Sequence, residues 1–184
     1  SNGPESFYHG RIAQLSEAAM HDNGGIITAA DFANCKPTIR EPVVSNYRGH
    51  TIIGFPPASS GGIHVAQVLN ILEKFDLARL YREDQAVFYH VIIEAMKLAF
   101  ADRAHWLGDA DYAPVPKNLI SQRYANRLSR RIDLGSTSTV AKHSTPPRHD
   151  SNTFGQHTTH IAVADTKGNW VAMTQTINTH MGSK

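Results

Sequence analysis

The spacing of the apolar residues changes once along this chain, and that change limits the folds it can adopt. From Phe7 to Ile132 the apolar residues mostly recur at helical spacing, whereas residues 158–178 alternate with the period of two that is typical of strands. A polar stretch from Gly135 to Gly155, rich in Ser, Thr, Pro and His, separates the two parts. We therefore predict an α+β fold, in which an exposed and mobile connection joins a mostly helical part to a β-hairpin.

Caps, glycines and prolines divide the helical part into predicted elements. Helices are predicted at residues 7–21, in a short segment begun by the capping pair Thr28 and Asp31, and at residues 63–75, 84–106 and 119–132. Two strand-like runs, residues 42–44 and 51–55, flank a turn-like segment and predict a first hairpin.

Charge and cysteine content exclude several classes of function. The chain has 18 Lys and Arg against 16 Asp and Glu, a formal net charge of +2, which does not indicate nucleic-acid binding. Arg127, Arg130 and Arg131 lie at helical spacing and are typical of a solvated helix face. Because Cys35 is the one cysteine in the sequence, no disulfide can form within the chain.

Three groups of polar residues could be mistaken for functional sites. Four residues on one predicted helix have spacings that favour structural ion pairs: Glu94, Lys97, Asp102 and Arg103. The loop Ser59-Ser60-Gly61-Gly62 could be a serine nucleophile loop or an anion nest, but without a partnered base we interpret it as a turn that starts a buried helix. Four histidines lack compact ligand spacing and do not indicate a metal: His143, His149, His157 and His160. We expect no cofactor.

The final hairpin brings several hydroxyl side chains together. A three-residue loop, Thr166-Lys167-Gly168, predicts a type I turn closed by a left-handed glycine. Pairing that is symmetric about Lys167 would place Thr158 directly opposite Thr176, with Asn178 further along the same face. The opposite face would form a core from these residues: Ile161, Val163, Val171, Met173 and Ile177.

Thr158 is the candidate nucleophile. Cross-strand threonine pairs also simply stabilise sheets, so the pairing alone favours a structural role. The position of Thr158, at the start of a strand and directly after the polar stretch, favours catalysis. A cut before Thr158 would give one residue both a hydroxyl and a free amine, and an amine with a pKa of about 7.7–8.0 can act as the base for that hydroxyl.

Three ordered motifs resemble those of the gamma-glutamyltranspeptidases. The segments Pro56–His64 and Glu94–Arg103 are similar to the end of the family's large subunit. Thr158-Thr159-His160, followed by Thr174-Gln175-Thr176-Ile177-Asn178-Thr179, resembles the start of the small subunit. The resemblance covers nearly the whole chain.

The resemblance implies a proenzyme of the N-terminal-nucleophile class with an αββα sandwich, of which this chain holds part. Self-cleavage before Thr158 would make residues 1–157 the end of the large subunit and residues 158–184 the start of the small one. Thr158 would attack glutathione or another gamma-glutamyl donor, and water, an amino acid or a dipeptide would accept the acyl group. Thr176 would position the Thr158 hydroxyl and amine, and Asn178 would bind the glutamyl head group. The implied location is periplasmic or extracellular.

Some of the family's machinery has no counterpart in these residues. The arginine that grips the substrate carboxylate, the serines near the substrate and the glycines of the oxyanion hole are absent. We therefore expect a piece of a longer protein that is inactive alone and needs the remainder of both subunits. Two alternatives stay open, a cephalosporin-acylase-like amidase of the same mechanistic class and a noncatalytic binding or scaffold domain.

Overall fold

The structure is a computed structural model that describes residues 3–140, 142–144 and 157–178, and in the hairpin it describes side chains at residues 161–173. The chain contains helices and two separate antiparallel strand pairs, so the coarse α+β prediction is confirmed. The elements in chain order are α1 (Glu5–Tyr8), α2 (Arg11–Asp22), α3 (Ala29–Asn34), β1 (Val43–Tyr47), β2 (His50–Gly54), α4 (Gly61–Leu72), α5 (Leu77–Glu83), α6 (Gln85–Trp106), a 3-10 turn (Lys117–Ile120), α7 (Gln122–Ser129), β3 (His157–Ala164) and β4 (Trp170–Asn178).

Contacts divide the chain into two compact units. One contains residues 40–155, and the other contains residues 1–39 together with residues 156–184. These two units are defined by contacts between residues. The boundary predicted between residues 157 and 158 is instead the position of a proposed peptide-bond cleavage.

The core of the first unit forms where α4 packs against α6, α7 and the β1–β2 hairpin. Its largest fully buried apolar side chains are Trp106, Ile71, Leu98, Leu119, Leu128 and Val91. Helix α4 is buried around most of its circumference, as the sequence predicted. Helix α6, the longest helix of the described residues, is buried along its inner side, which carries two acidic side chains, Glu94 and Asp102, among its apolar ones.

The β1–β2 hairpin confirms the first predicted strand pair. Its register pairs Val43 with Gly54 and Tyr47 with His50, which leaves a two-residue turn of Arg48 and Gly49. Both turn residues have positive φ, at 48° and 82°, as the twist of a tight hairpin requires.

Close backbone packing explains the glycine pair at the start of α4. A Cβ on Gly62 would lie 2.3 Å from the carbonyl oxygen of Phe55 and 2.8 Å from the carbonyl carbon of Gly54. A Cβ on Gly61 would meet only the Ser59 hydroxyl, at 3.5 Å. Gly62 thus lets the first turn of α4 touch the end of β2, which confirms the interpretation of this loop as a helix start.

The predicted caps are present. Thr28 accepts a hydrogen bond from the Asp31 amide at 3.3 Å, and the Asp31 carboxylate accepts one from the Thr28 amide at 2.7 Å. Asp84 caps α6 by accepting from the amides of Ala86 and Val87 at 2.9 and 3.1 Å. Each pair satisfies amide groups that the helix itself leaves without partners.

Two helix predictions were wrong in detail, and one helix was not predicted. The first helix is interrupted at Gly10, which separates α1 from α2. Helix α5 was not predicted, although Asp76 caps it by accepting from the Arg79 amide at 3.0 Å. The helix predicted at 119–132 is a 3-10 turn followed by α7, because the Ser121 hydroxyl accepts from the Tyr124 amide and starts a new helix.

Candidate active site

The loop between β3 and β4 has the predicted geometry. The Gly168 amide donates to the Asp165 carbonyl at 3.2 Å, and Gly168 has a φ of 82°. The Asp165 carboxylate accepts from the amides of Lys167 and Asn169, both at 2.9 Å. The Asn169 side-chain amide also donates to this carboxylate, at 2.8 Å. The hydrogen bonds from the Asn169 side chain, the Asn169 amide and the Lys167 amide favour the charged form and lower the pKa of Asp165. The loop therefore fixes the register at this end of the hairpin.

The register follows the predicted symmetry over most of the hairpin. Ala164 pairs with Trp170, Ile161 with Met173, and Thr159 with Gln175. The next pair is His157 with Asn178, so the register shifts between His157 and Thr159. The prediction that Thr158 lies directly opposite Thr176 was therefore wrong, because Thr158 faces a two-residue stretch, Thr176 and Ile177.

This irregularity is a β-bulge at the candidate nucleophile. Bulges place two residues against one, increase the local twist and redirect side chains, and they are common next to active sites. The three predicted site residues, Thr158, Thr176 and Asn178, lie at the same end of the hairpin, but their side chains are outside the described part. Side chains alternate strictly between the two faces of the hairpin only as far as Thr159. The prediction that Thr158 and Asn178 lie on the same face therefore no longer follows from counting residues.

The face predicted to form a core is not covered in the described structure. Ile161 and Met173 are each 48% exposed, Val163 is 58% exposed and Val171 is 63% exposed. Ile177, the fifth member of that predicted face, lies among the side chains that are not described. A half-apolar sheet face gains stability only when another layer packs against it.

A buried polar network joins α6 to three other parts of the first unit. Asp102 on α6 is fully buried, and its Oδ2 accepts from Gln67 Nε2 of α4 and from the Tyr124 hydroxyl of α7, both at 2.6 Å. Its Oδ1 accepts from the Ser144 amide at 2.8 Å. Burial raises the pKa of Asp102, although these hydrogen bonds oppose the shift.

The polar residues of α6 play structural roles, as predicted, but only one pair is an ion pair. Lys97 Nζ lies 2.5 Å from Glu94 Oε1. Arg103 instead donates from Nε to the Ser60 hydroxyl at 2.8 Å. Asp102 is held by neutral donors, which its spacing from other charges on the helix did not predict. The signal available in the sequence was Gln67, which is one of three polar side chains, with His64 and Asn70, in a mostly apolar helix.

Part of the predicted mobile connection is docked on α6. The Ser138 carbonyl accepts from Lys97 Nζ at 2.6 Å, and the Ser144 carbonyl accepts from Trp106 Nε1 at 3.0 Å. The His143 ring stacks on His105 with 3.4 Å between ring centroids. Ser138, Val140, His143 and Ser144 are half-buried at these contacts, whereas residues 135–137, 139 and 142 are exposed. The prediction of a mobile connection stays a prediction. Residues 145–156 lie outside the described part.

Comparison with known proteins identifies the family. The family model described as gamma-glutamyltranspeptidase matches residues 1–184. The chain belongs to the gamma-glutamyltranspeptidase family.

Relatives in this family carry the names of enzymes. The chain is 41% identical over 186 residues to a glutathione hydrolase proenzyme of Escherichia coli, covering 99% of this chain and 31% of the relative. It is 40% identical over 185 residues to an acylase ACY 1 proenzyme of a Pseudomonas species, covering 100% of this chain and 32% of the relative. The chain thus spans about a third of the length of these relatives and belongs to an enzyme family.

Solved gamma-glutamyltranspeptidase-family structures share the fold. The Helicobacter pylori gamma-glutamyltranspeptidase matches 77% of this chain and 41% of its own, with a TM-score of 0.67 and 40% identity. A cephalosporin acylase from Bacillus halodurans matches 97% of this chain and 30% of its own, with a TM-score of 0.74 and 30% identity. The chain therefore resembles solved structures of both a transpeptidase and an acylase.

The described residues lack two further kinds of feature. They contain no cluster of three or more His, Cys, Asp or Glu residues placed to hold a metal ion. Among the same residues of this family member, no helix is long and apolar enough to cross a membrane.

Proposed function

We propose that the full-length protein containing this chain cleaves itself between His157 and Thr158 and then uses Thr158 as a catalytic nucleophile. The observation that carries the proposal is the position of Thr158, second in β3 and at the bulge, in a family whose named relatives are proenzymes. The candidate bond is held at a strand end in a hairpin whose loop is firmly structured.

Self-cleavage would proceed through an ester. The Thr158 hydroxyl oxygen attacks the carbonyl carbon of His157, the peptide C–N bond breaks, and the acyl group moves from nitrogen to oxygen. Water then hydrolyses the ester, leaving a carboxylate on His157 and a free amine on Thr158. That amine supplies the base that an uncut chain lacks.

Turnover would repeat this chemistry on a gamma-glutamyl amide. The Thr158 amine takes the hydroxyl proton as the oxygen attacks the amide carbonyl, and it returns a proton to the departing amine. Water, an amino acid or a dipeptide then takes the acyl group from Thr158. Thr176 positions the nucleophile across the bulge, and Asn178 binds the glutamyl head group.

The backbone pairing of His157 with Asn178 supports this assignment of Asn178. In the uncut chain His157 occupies the ladder position opposite Asn178. Once the bond before Thr158 is cut, His157 is no longer held in the strand by its covalent neighbour. The cut would therefore free the backbone position next to the proposed head-group ligand, and we expect substrate to bind only after cleavage.

The identity of the acyl group has two candidates. Glutathione and related gamma-glutamyl amides are the first, because a glutathione hydrolase proenzyme is 41% identical to the chain. A cephalosporin-type acyl amide is the second, because an acylase proenzyme is 40% identical and a cephalosporin acylase structure matches 97% of this chain. We favour the first because the Thr174–Asn178 motif resembles that of the transpeptidases.

The remainder of the protein would complete the fold. We propose that the helices and hairpin described here are part of an αββα sandwich, with the rest of both subunits covering the exposed face of β3 and β4. No cofactor takes part in the proposed chemistry. A periplasmic or extracellular location follows from the same resemblance.

The proposal is tested by maturation of the full-length protein. N-terminal sequencing of the smaller product should find Thr158 as its first residue. Thr158→Ala should leave one uncut chain with no amidase activity, whereas the neighbouring Thr159→Ala should still be cut and active. An intact parent chain, or a cut elsewhere, would overturn the assignment.

Substrate class is tested on the matured enzyme. A gamma-glutamyl anilide and a glutaryl anilide differ only by the α-amino group of the head group, so their relative kcat/KM separates the two candidates. We expect preference for the gamma-glutamyl compound and a raised KM for it in Asn178→Ala. Preference for the glutaryl compound would favour the acylase candidate.

A further inference from the structure

The exposed side of α6 carries no charged side chain. Of the 22 residues of this helix, all of which the structure describes, seven are exposed and each of them is uncharged: Gln85, Ala86, Tyr89, Ile93, Met96, Phe100 and Ala104. Four of these are large and mostly apolar, and they are 55%, 55%, 41% and 45% exposed: Tyr89, Ile93, Met96 and Phe100. We call these four residues the α6 stripe.

The members of the α6 stripe form one continuous surface. They are spaced by four, three and four residues, which places them on one side of a helix over about 17 Å of its length. Charged groups on the neighbouring sides of α6 have partners within the first unit. Lys97 pairs with Glu94, and Arg103 donates to the Ser60 hydroxyl. The stripe is therefore left as an apolar surface.

Helix α7 of the same unit shows the composition of a solvent-facing side. Its exposed residues are all polar or charged: Gln122, Arg123, Asn126 and Arg127. Both helices bury their other side in the same core. A helix that is apolar on all sides is typically buried on all sides, whereas a helix at a surface has a polar outer side. Helix α6 therefore has the sequence of a helix that is covered on both sides.

We propose that the α6 stripe is an interface covered by an apolar surface of the full-length protein outside this chain. The chain covers 31% and 32% of two relatives, so about two thirds of a protein of that length lies outside it. The covering surface is apolar, because a charged or polar group placed over the stripe would lose water without gaining a partner. The inference does not depend on the cut before Thr158, because an uncut full-length chain contains the same residues.

The size of the α6 stripe favours a partner in the same polypeptide over a second copy. With about 200 Å² of surface per large side chain, of which about half is exposed, the stripe offers about 400 Å². Stable complexes between separate proteins bury about 800 Å² on each partner. Two parts of one polypeptide need less area, because their association does not cost the translational and rotational freedom of a second molecule.

Thiol labelling of the full-length protein measures whether the stripe is covered. Ile93→Cys places a small thiol in the stripe, and Glu83→Cys is the matched control at the end of α5, where the side chain is 60% exposed. Because Cys35 is also exposed, the labelled peptides are quantified by mass spectrometry. We expect iodoacetamide to label Ile93→Cys at least about a hundredfold more slowly in the native than in the urea-unfolded protein, and Glu83→Cys to differ by less than about fivefold.

A measurement on the parent protein avoids any effect of a substitution on folding. Hydrogen peroxide converts methionine to its sulfoxide, and we expect Met96 of the native full-length protein to react at least about tenfold more slowly than in the unfolded protein. The protection should be unchanged by about a hundredfold dilution, because the covering surface belongs to the same molecule. Loss of protection on dilution would show that a second copy covers the stripe and would overturn the proposal.

A charge in the stripe tests the chemistry of the covering surface. Ile93→Lys should lower the thermal midpoint of the full-length protein by about 5 °C or more, because the ammonium group would lose water at an apolar surface. Ile93→Met, which keeps an apolar side chain of similar volume, should lower it by less than about 2 °C. Equal midpoints would show that the surroundings of the stripe accept charge and would contradict an apolar covering surface.

The remaining outcomes separate this inference from the proposed function. If the thiol of Ile93→Cys and the Met96 side chain react as fast in the native as in the unfolded protein, the stripe faces solvent and the inference is wrong. Equal protection of Glu83→Cys and Ile93→Cys would also count against it, because the protection would not be confined to the stripe. If the stripe is protected in a parent that is never cut before Thr158, the inference stands and only the proposed function fails.

Discussion

The first unit, which the structure describes at residues 40–140 and 142–144, and the β3–β4 hairpin have similar fractions of apolar residues. They differ in what those residues contact. In the first, Leu128 and Val91 are fully buried between helices of the same unit. In the hairpin, Val163 and Val171 remain more than half exposed. The first region therefore supplies its own core, whereas the second supplies one side of a core and needs a covering layer.

This difference separates stability from chemistry along the chain. The proposed nucleophile is in the region with little burial of its own, and the buried polar network is in the region with a complete core. A two-stranded hairpin is marginally stable alone in water. We infer that the geometry of the Thr158 end of the hairpin depends on the rest of the protein, while the packing of α4, α6 and α7 does not.

The prediction with the largest expected effect replaces one buried and one exposed side chain and compares the changes in the free energy of unfolding. Leu128→Ala should lower the free energy of unfolding of this chain by about 2–5 kcal/mol, because it leaves a cavity in the core. Val171→Ala should change it by less than about 0.5 kcal/mol. Urea unfolding can be followed by Trp106 fluorescence in a Trp170→Phe background, since the sequence has two tryptophans.

The same pair sharpens the comparison in the full-length protein. There Val171→Ala should cost about 1–2 kcal/mol if a further layer covers the hairpin face. If Val171→Ala lowers the free energy of unfolding of the full-length protein by less than about 0.5 kcal/mol, as expected for the chain alone, the hairpin face stays exposed. The proposed sandwich would then be wrong for this region.

The second test removes the buried carboxylate. Asp102→Asn leaves one acceptor oxygen where Gln67, Tyr124 and Ser144 need two, and each buried donor left without a partner costs about 1–3 kcal/mol. A loss of this size in urea unfolding would confirm that the network stabilises the unit. Full retention of stability would show that other acceptors replace Asp102 without loss.

The pH dependence of that loss has a definite sign. The pKa of Asp102 is raised by burial above its ordinary value of 3.8, so just above pH 3.8 the folded chain keeps a proton that the unfolded chain has released. The parent therefore loses stability as pH rises from 3.8 through the raised pKa, whereas Asp102→Asn has no such titration. The stability difference between the two should be largest at acidic pH and shrink through that window. A difference that grew with pH would contradict the assigned shift.

Sequence patterns predicted elements well where one local signal decides the structure. The Thr28–Asp31 capping box, the Asp84 cap and the Gly168 loop depend on neighbouring residues, and all three are present. The α6 network could not be predicted in this way. Its partners, Gln67 and Tyr124, are far from Asp102 in sequence. A polar residue in a mostly apolar helix indicates that it has a buried partner, but the sequence does not show which group that partner is.

The candidate site shows the same division. The loop fixes the register from Ala164 to Thr159, and this much of the hairpin followed from counting residues about Lys167. The shift at Thr158 could not be found by counting, because a bulge depends on twist and on contacts beyond the strand pair. The roles of Thr158, Thr176 and Asn178 rest on chemistry and family resemblance and stay proposals.

The third test concerns the close approach of β2 and α4. Gly62→Ala would place a Cβ 2.3 Å from the Phe55 carbonyl oxygen, so backbone must move, at a cost of about 1–3 kcal/mol. Gly61→Ala is the matched control, because its Cβ meets only a side-chain oxygen at 3.5 Å. Equal unfolding midpoints in urea for the two variants would show that the helix start is not tightly packed.

The smallest effect, and the most direct comparison of the two regions, comes from the hairpin loop. Gly168 has a φ of 82°, where a residue with a Cβ costs about 1–2 kcal/mol. Gly168→Ala should therefore speed amide hydrogen exchange roughly tenfold at Val163 and Val171, and Gly168→Asn should do so less because asparagine tolerates this conformation better. Amides of α6 should exchange at the parent rate, because the core of residues 40–144 does not depend on the loop. If α6 amides accelerated with those of the hairpin, the two regions would unfold as one cooperative unit, and the view that only the first region has a core of its own would be wrong.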